Sequence, residues 1–314
     1  MKIDNIKKVV IAGAGTMGSS IAQVFAGKGY DVVLYDIKQE ILDKSCDLIK
    51  LNQATSVKEN SLTQAESDEL LRHISYSCDK EVFRPAHLVV ETIVERMDIK
   101  HSFFAEISEL VSADTLLTSN TSGLSLTEIA KAVKGPERFC GFHWVNPPHI
   151  VPLVEVIRGG RTSDETAQAV YSLAERIGKV PTMVKDGPGF CLNRLQFAVL
   201  REAMHIVESG IASKEDVDKT FKYGLGMRYA CLGPFEIADL GGLDTFYRIS
   251  EYLFAQLSDR KDVPDMLKEC FDSEAYGVKS GKGFYDYSNG RDKQVIAKRD
   301  ADFIKIAKCL YEDK

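Results

Sequence analysis

Two side chains near the middle of the chain have the types and spacing of a catalytic pair. His143 follows a short apolar segment, residues 139–142, and Glu155 interrupts a second one, Leu-Val-Glu-Val-Ile. A carboxylate among apolar neighbours is costly to bury alone, so Glu155 needs a partner, for which His143 is the obvious candidate. A carboxylate that holds one imidazole nitrogen leaves the other free to accept a proton. The alternative is a structural histidine and a glutamate on an edge strand.

The elements around this pair alternate between strands and helices. Apolar segments that are typical of strands occupy residues 7–12, 31–35, 74–77, 88–91, 115–119, 139–142 and 181–184, besides the segment that contains Glu155. Helical patterns separate most of them. This alternation predicts an α/β domain with a parallel, doubly wound sheet of the Rossmann type.

A glycine-rich turn connects the first strand to a predicted helix over residues 19–28. The candidate cofactor-binding positions in this turn are Gly13, Gly15, Thr16, Met17 and Gly18. Glycines permit the tight turn, the close approach of a pyrophosphate and helix–strand packing, and the helix N-terminus offers free N–H groups. Asp36 ends the next strand and can accept from both ribose hydroxyls while repelling a 2′-phosphate. The pattern therefore predicts NAD as cofactor, in preference to NADP.

The second half of the chain has a different texture. Glycine and proline cluster at residues 186–189, and helical patterns follow at 193–209, 213–224, 244–257 and 263–270. We therefore predict an N-terminal domain over 1–187 and an all-α domain over 188–314. The end of the chain, about 288–314, is predicted to form an amphipathic helical tail on the surface or at a partner.

Composition excludes several classes of function. The 314 residues are 44% apolar and 27% charged, with a net charge of −6 and no basic block, so a nucleic acid partner is not expected. Neither an apolar run of membrane-spanning length nor a leader-like N-terminus occurs, so no membrane association is expected. Seven scattered cysteines without a CxxC pair indicate reduced thiols in a cytoplasmic enzyme, with neither disulfides nor a metal site.

Six motifs in both halves resemble one known family. They are GAGTMG at 13–18, SNTSGLSLTEIA at 119–130, FHWVNPPHIVPLVEVI at 142–157, DGPGFCLNRL at 186–195, GPFEIADLGGLDT at 233–245 and GKGFYDY at 281–287. Their types and order are similar to those of the L-3-hydroxyacyl-CoA dehydrogenase family, over roughly residues 7–287. The resemblance implies NAD as cofactor, a small-molecule substrate and a homodimer formed through the helical domain.

The resemblance also implies roles for residues of the catalytic centre. His143 corresponds to the catalytic base and Glu155 to the acid that orients it. Ser122 and Asn193 correspond to residues that hold the reacting oxygen of the substrate. The alternative for both is helix capping, the commoner use of serine and asparagine at such places. On the cofactor side, the matching positions are Glu95, Lys100, Asn120 and Asn146.

The chain departs from the acyl-CoA pattern in three places. The helices after the second strand carry few lysines, Lys44, Lys50 and Lys58. Ser122 is followed by Gly123 and not by a second serine, and Pro152 replaces the usual lysine before Leu-Val-Glu. Other segments resemble the lambda-crystallin/L-gulonate 3-dehydrogenase branch and a pyridine-carboxylate dehydrogenase branch, which use free acids. We predict oxidation of a short-chain L-3-hydroxyacyl-CoA, with a free hydroxy acid as the alternative substrate. Arg228, in a predicted glycine-rich turn, is the candidate cation for a free carboxylate, and the alternative is a surface salt bridge.

Overall fold

The fold was obtained as a computed structural model, which describes residues 3–60 and 62–311. The chain forms two compact units, Met1–Asn193 and Arg194–Lys314. The first unit is α/β with a Rossmann-like sheet and the second is helical, which confirms the predicted fold class. The glycine- and proline-containing segment 186–189 lies a few residues before the division between the units.

The first unit is built on one eight-stranded sheet. Its strands are β1 Lys8–Ala12, β2 Asp31–Tyr35, β3 Ile74–Ser77, β4 Leu88–Glu91, β5 Leu116–Ser119, β6 Phe139–Trp144, β7 Leu153–Arg158 and β8 Val180–Lys185. Their order across the sheet is β3-β2-β1-β4-β5-β6-β7-β8. The central strands are apolar at every position because both faces are covered: Val9, Val10 and Ile11 are fully buried.

The parallel pairing that was predicted for the sheet is found between most strands but not at one edge. Strands β1 to β6 are parallel, but β7 pairs antiparallel with β6, and β8 is parallel to β7. The connection between β6 and β7, residues 145–152, is too short for a helical crossover. The chain therefore reverses there, and the reversal brings His143 directly opposite Glu155 in the strand register.

The described residues of the first unit form six α-helices. They are α1 Thr16–Ala26, α2 Gln39–Lys58, α3 Gln64–Arg72, α4 Met97–Leu110, α5 Leu126–Ile129 and α6 Asp164–Arg176. Thr63 caps α3 in a capping box with Glu66. Ser163 caps α6.

Seven further α-helices follow in the part of the chain that the structure describes. They are α7 Leu192–Glu208, α8 Lys214–Thr220, α9 Met227–Tyr229, α10 Pro234–Gly241, α11 Leu243–Leu253, α12 Asp265–Asp272 and α13 Arg291–Leu310. The predicted helical tail is present as α13. The prediction of a glycine-rich turn around Arg228 is wrong, because residues 221–226 form a π-helical segment that continues into α9. Gly226 adopts ordinary helical angles there, because glycine is costly but permitted within a helix. None of the helices in the described part of the chain is long and apolar enough to cross a membrane.

Candidate active site

His143 and Glu155 form a buried hydrogen-bonded pair across β6 and β7. The imidazole Nδ1 lies 2.8 Å from the Glu155 Oε2 atom. His143 is 4% exposed and Glu155 is 1% exposed, so water competes little for this contact. The antiparallel register explains the pairing, since directly opposite residues of two strands project on the same face. The sequence suggested the two partners, and the structure brings them together.

The second oxygen of Glu155 is held by the start of α7. Its Oε1 atom accepts hydrogen bonds from the backbone N–H groups of Cys191, at 3.0 Å, and Leu192, at 2.9 Å. Burial alone would raise the pKa of the Glu155 carboxyl, but the hydrogen bonds from His143, Leu192 and Cys191 outweigh it and lower that pKa below its ordinary value. Glu155 is therefore fixed as an anion that orients the imidazole.

This arrangement predicts a pH-dependent loss of stability in Glu155→Gln. We expect the free energy of unfolding at pH 7 to fall by about 1.5–3 kcal/mol, the usual contribution of hydrogen bonds to a charged group. Because the folded-state pKa is depressed, the stabilisation is present above the unfolded value of about 4.3 and is lost as the pH falls through the folded pKa. The free energy of unfolding is measured by urea unfolding at pH 7, 5 and 3. The probe is the fluorescence of the sole tryptophan, Trp144, which is buried in the first unit.

The matched control for that measurement is Glu175→Gln, which changes an exposed glutamate on α6. Its unfolding free energy should stay close to that of the unaltered protein at all three pH values. A deficit in Glu155→Gln that is equally large at pH 7 and pH 3 would contradict the role of the Glu155 charge.

Ser122 and Asn193 lie at the free nitrogen of His143. The Ser122 Oγ atom is 3.2 Å from Nε2, and the Asn193 amide nitrogen donates to the Ser122 carbonyl oxygen at 2.8 Å. The capping alternative fails for Ser122, because Ser125 caps α5. It also fails for Asn193, which lies inside the first turn of α7 and directs its amide to Ser122.

These contacts determine which imidazole nitrogen can act as a base. With Nδ1–H donating to Glu155, Nε2 carries the lone pair and accepts from the Ser122 hydroxyl. A substrate hydroxyl that takes the place of this contact would have its proton acceptor at hydrogen-bond distance. Ser122 and the remaining N–H of Asn193 are then available as donors to the same oxygen.

The glycine-rich turn fits a dinucleotide pyrophosphate. Gly13 has φ +102°, and a side chain there would lie 2.7 Å from the Thr92 carbonyl oxygen. A Cβ on Gly18 would lie 1.9 Å from the Gly13 carbonyl oxygen. A Cβ on Gly15, by contrast, would meet no protein atom within 4 Å. Gly15 is exposed and precedes the first turn of α1 without a side-chain cap, so the space beside it and the N–H groups of Thr16 and Met17 are open to a phosphate.

Asp36 is oriented across the end of β2 towards this turn. Its Oδ2 atom accepts from the Ala14 N–H at 2.9 Å, and Oδ1 accepts from the Lys38 N–H at 3.2 Å. Both contacts leave lone pairs on the carboxylate, which can accept from ribose hydroxyls. The predicted acid is thus fixed beside the predicted phosphate site.

The remaining predicted residues occupy different environments. The side-chain oxygen of Asn120 accepts a hydrogen bond from the backbone N–H of Trp144 at 2.8 Å, and Asn146 is exposed just after β6. Glu95 is exposed over 45% of its side chain, whereas Lys100 is only 1% exposed and contacts carboxylates. Arg228 lies exposed on α9 in the second unit and forms no ion pair with another described residue. The surface salt bridge considered for it is therefore not found within that part of the chain.

Sequence reasoning missed a lysine that supports the connection between the strands of His143 and Glu155. The Lys179 Nζ atom donates to the carbonyl oxygens of Pro148, at 2.6 Å, and Val151, at 2.9 Å. Burial lowers the pKa of this amine to about 8. The only signal was its place after Gly178, where the chain leaves α6 for β8, and nothing in its neighbours indicated a buried cation.

Comparison with known proteins places this geometry in a family. Residues 8–187 match the sequence model of the 3-hydroxyacyl-CoA dehydrogenase NAD-binding domain, and residues 189–287 match that of the C-terminal domain. The chain belongs to the 3-hydroxyacyl-CoA dehydrogenase family. It is an NAD-dependent oxidoreductase of that type. The resemblance read from the six motifs is confirmed.

Relatives within the family differ in substrate. A 5-formyl-3-hydroxy-2-methylpyridine 4-carboxylate 5-dehydrogenase of Mesorhizobium japonicum is 34% identical over 97% of this chain and 98% of its own length. A probable 3-hydroxybutyryl-CoA dehydrogenase of Deinococcus radiodurans is 41% identical over 89% of this chain and all of its own. A crystal structure of a dehydrogenase of that pyridine carboxylate has a TM-score of 0.91 at 33% identity, covering 98% of this chain and 99% of its own. The crystal structure of the (S)-3-hydroxybutyryl-CoA dehydrogenase of Ralstonia eutropha has a TM-score of 0.76 at 35% identity, covering 91% of this chain and 100% of its own.

Proposed function

We propose that this family member catalyses the reversible NAD-dependent oxidation of a short-chain L-3-hydroxyacyl-CoA to the 3-ketoacyl-CoA. The observation that supports the reaction is the buried His143–Glu155 pair with Ser122 and Asn193 at the free imidazole nitrogen. The thioester is favoured by relatives that are named 3-hydroxybutyryl-CoA dehydrogenases and are 38–41% identical.

In this proposal the protein accepts the hydroxyl proton of the substrate and stabilises the negative charge that develops on its oxygen. NAD, when bound, supplies the hydride acceptor. His143 takes the hydroxyl proton at Nε2, and Glu155 stabilises the imidazolium that forms. Ser122 and Asn193 donate to the oxygen as it gains charge. In the reverse direction His143 returns the proton to the alkoxide.

A free hydroxy acid or carboxylated alcohol is the second candidate substrate. Two observations favour it. The pyridine-carboxylate dehydrogenase matches nearly the whole chain, whereas the 3-hydroxybutyryl-CoA dehydrogenases match about 90% of it. In addition, α2 offers three lysines, Lys44, Lys50 and Lys58, beside the acids Glu40, Asp43 and Asp47. These are few cations for the phosphates of CoA. Under this alternative Arg228 would bind the carboxylate.

The experiment that separates the candidates is a substrate panel followed by NADH absorbance. L-3-Hydroxybutyryl-CoA, free L-3-hydroxybutyrate and a pyridine carboxylate with an aldehyde are tested on the unaltered protein and on Arg228→Met. Turnover of the thioester that survives Arg228→Met, with a KM raised by a Lys50/Lys58 double change, supports the first candidate. The second candidate replaces the first if only the free acids are oxidised. Arg228→Met should then abolish that oxidation, and the control Arg248→Met on α11 should not.

The proposed homodimer rests on the surface of the helical unit. Among the described residues of that unit, the only buried apolar side chains are Met204, Ile237 and Pro264. Large apolar side chains that are at least 70% exposed are Ile211, Tyr223, Met227, Phe235, Leu240 and Phe254. Monomeric proteins rarely expose so much apolar surface, and a second copy of the same surface would cover it by two-fold symmetry.

We therefore expect sedimentation at micromolar concentration to give twice the chain mass of 34.9 kDa. Phe235→Glu combined with Leu240→Glu should shift the protein to monomers, because it places charges in the proposed interface. Ile37→Glu is the matched control, since Ile37 is 75% exposed on the first unit. A monomeric unaltered protein would contradict the proposal.

Two finer properties accompany this function. The single acid Asp36 at the ribose position favours NAD over NADP, because a 2′-phosphate would meet its charge. The seven cysteines, all with free thiols, are in keeping with a reducing, cytoplasmic location.

A further inference from the structure

Three charged side chains form a network beneath the loop that carries Ser122. Glu91, at the end of β4, is fully buried, and Lys100 on α4 is 1% exposed. The Lys100 ammonium lies 2.5 Å from the Glu91 Oε1 atom and 3.3 Å from Oε2 of Glu95. The proton transfer described for His143 uses none of these groups, yet the buried charges of Glu91 and Lys100 need compensation from each contact.

Glu95 organises the Ser122 loop through a single oxygen atom. Its Oε1 accepts from the Thr121 hydroxyl at 2.5 Å, from the Ser122 N–H at 3.0 Å and from the Gly123 N–H at 3.3 Å. Burial raises the pKa of the Glu95 carboxyl, but these hydrogen bonds and the Lys100 charge outweigh it and lower that pKa below its ordinary value. The loop is therefore wrapped around an anion.

Ser122 is consequently held at both ends of its backbone. Its N–H donates to Glu95, and its carbonyl oxygen accepts from the Asn193 amide. Between these two contacts the hydroxyl reaches the His143 Nε2 atom. Without Glu95, the N–H and hydroxyl donors of the loop would bind water instead. The Ser122 hydroxyl would then no longer be held in one direction.

Glu91 and Lys100 support Glu95 from below. Glu91 accepts from the Ile93 N–H at 2.8 Å and from the Ser119 hydroxyl at 2.5 Å, which joins β4 to β5. Lys100 then bridges this fixed carboxylate to Glu95. Glu91 is thus the anchor of the network, a residue that none of the sequence motifs indicated.

We propose that Glu95 is a positioning residue that acts through Ser122, with Glu91 and Lys100 holding its carboxylate beneath the loop. The proposal rests on the proposed function, in which Ser122 contacts the reacting oxygen. It gives Glu95 and Lys100 a role beyond the cofactor side, where the family resemblance alone would put them. A misplaced group in an active site typically costs about a hundredfold in rate, so we expect Glu95→Ala to lower kcat by about ten- to a hundredfold.

A double-mutant cycle tests whether Glu95 acts through Ser122. Ser122→Ala, Glu95→Ala and the double variant are compared in kcat, in KM and in the Kd of NAD measured by calorimetry. We expect the double variant to be no slower than Ser122→Ala when kcat is measured at saturating NAD. Losses that multiply, or a weakened NAD affinity in Glu95→Ala that accounts for the whole effect, would overturn the proposal. Glu106→Ala, which removes an exposed, ion-paired glutamate of α4, is the control and should leave kcat unchanged.

A second readout separates this proposal from the proposed function. The ¹⁵N NMR signal of His143 Nε2, assigned by its absence in His143→Gln, reports the hydrogen bond from Ser122 without any substrate. We expect Glu95→Ala to shift that signal in the same direction as Ser122→Ala does, even if no substrate of the panel is turned over. An Nε2 signal that Ser122→Ala shifts and Glu95→Ala leaves unchanged would show that Glu95 does not position Ser122.

Discussion

Replacing His143 by glutamine is expected to lower kcat by about a hundred- to ten-thousandfold while NAD still binds. Glutamine retains a polar side chain of similar reach, but it cannot accept and hold a proton near neutral pH. His143 is the one imidazole that faces both Glu155 and Ser122, so no neighbouring group replaces it among the described residues. Steady-state kinetics with the best substrate of the panel measures the loss, and calorimetry with NAD shows that the cofactor site is intact.

The matched control is His101→Gln. His101 is a histidine of α4 whose ring contacts the Glu128 carbonyl oxygen at 2.9 Å, away from the catalytic pair. Its kcat should stay within about twofold of that of the unaltered protein, as is usual for changes that leave the reacting atoms untouched. Near-full activity of His143→Gln would mean that another group is the base.

The second large effect is expected in Gly15→Ala, which should lose NAD binding while the fold is kept. The new methyl group meets no protein atom within 4 Å, and the backbone at Gly15, with φ −73°, suits alanine. It would, however, occupy the space in which the pyrophosphate approaches the turn before α1. We expect the Kd of NAD to rise at least about a hundredfold, the cost of a clash with a closely bound group. Calorimetry measures that Kd, and the melting temperature should change little.

Two other glycine variants serve as comparisons for Gly15→Ala. Gly18→Ala should lower the melting temperature as well, because its methyl group would lie 1.9 Å from the Gly13 carbonyl oxygen. Gly224→Ala, in the helical unit, also meets no atom within 4 Å and should leave NAD binding unchanged. If Gly15→Ala bound NAD as tightly as Gly224→Ala does, the pyrophosphate would not lie at this turn.

The sequence predicts those features that local pattern determines. The strand and helix positions of the first unit follow from apolar periodicity, and the glycine turn with Asp36 follows from the geometry that a dinucleotide demands. The partnership of His143 with Glu155 was predictable as well, because a lone carboxylate in an apolar strand needs a partner.

Other features depend on contacts that no local pattern encodes. The N–H groups of Cys191 and Leu192 reach Glu155 from a distant part of the chain, and every residue type except proline carries such a group. The reversal of β7 depends on the length of a connection and not on the composition of the strand. Glu91 and Lys179 are polar residues whose burial becomes apparent only once their partners are in place.

The central claim is that a hydride leaves the carbinol carbon of a 3-hydroxyacyl substrate for NAD. The most direct measurement uses substrate that carries deuterium at C3, both as the CoA thioester and as the free acid, with mass spectrometry of the NADH formed. We expect one deuterium in each NADH molecule with at least one of the two substrates, and no transfer in His143→Gln over the same time. NADH that forms without deuterium, or the absence of NADH from both labelled substrates, would contradict the account.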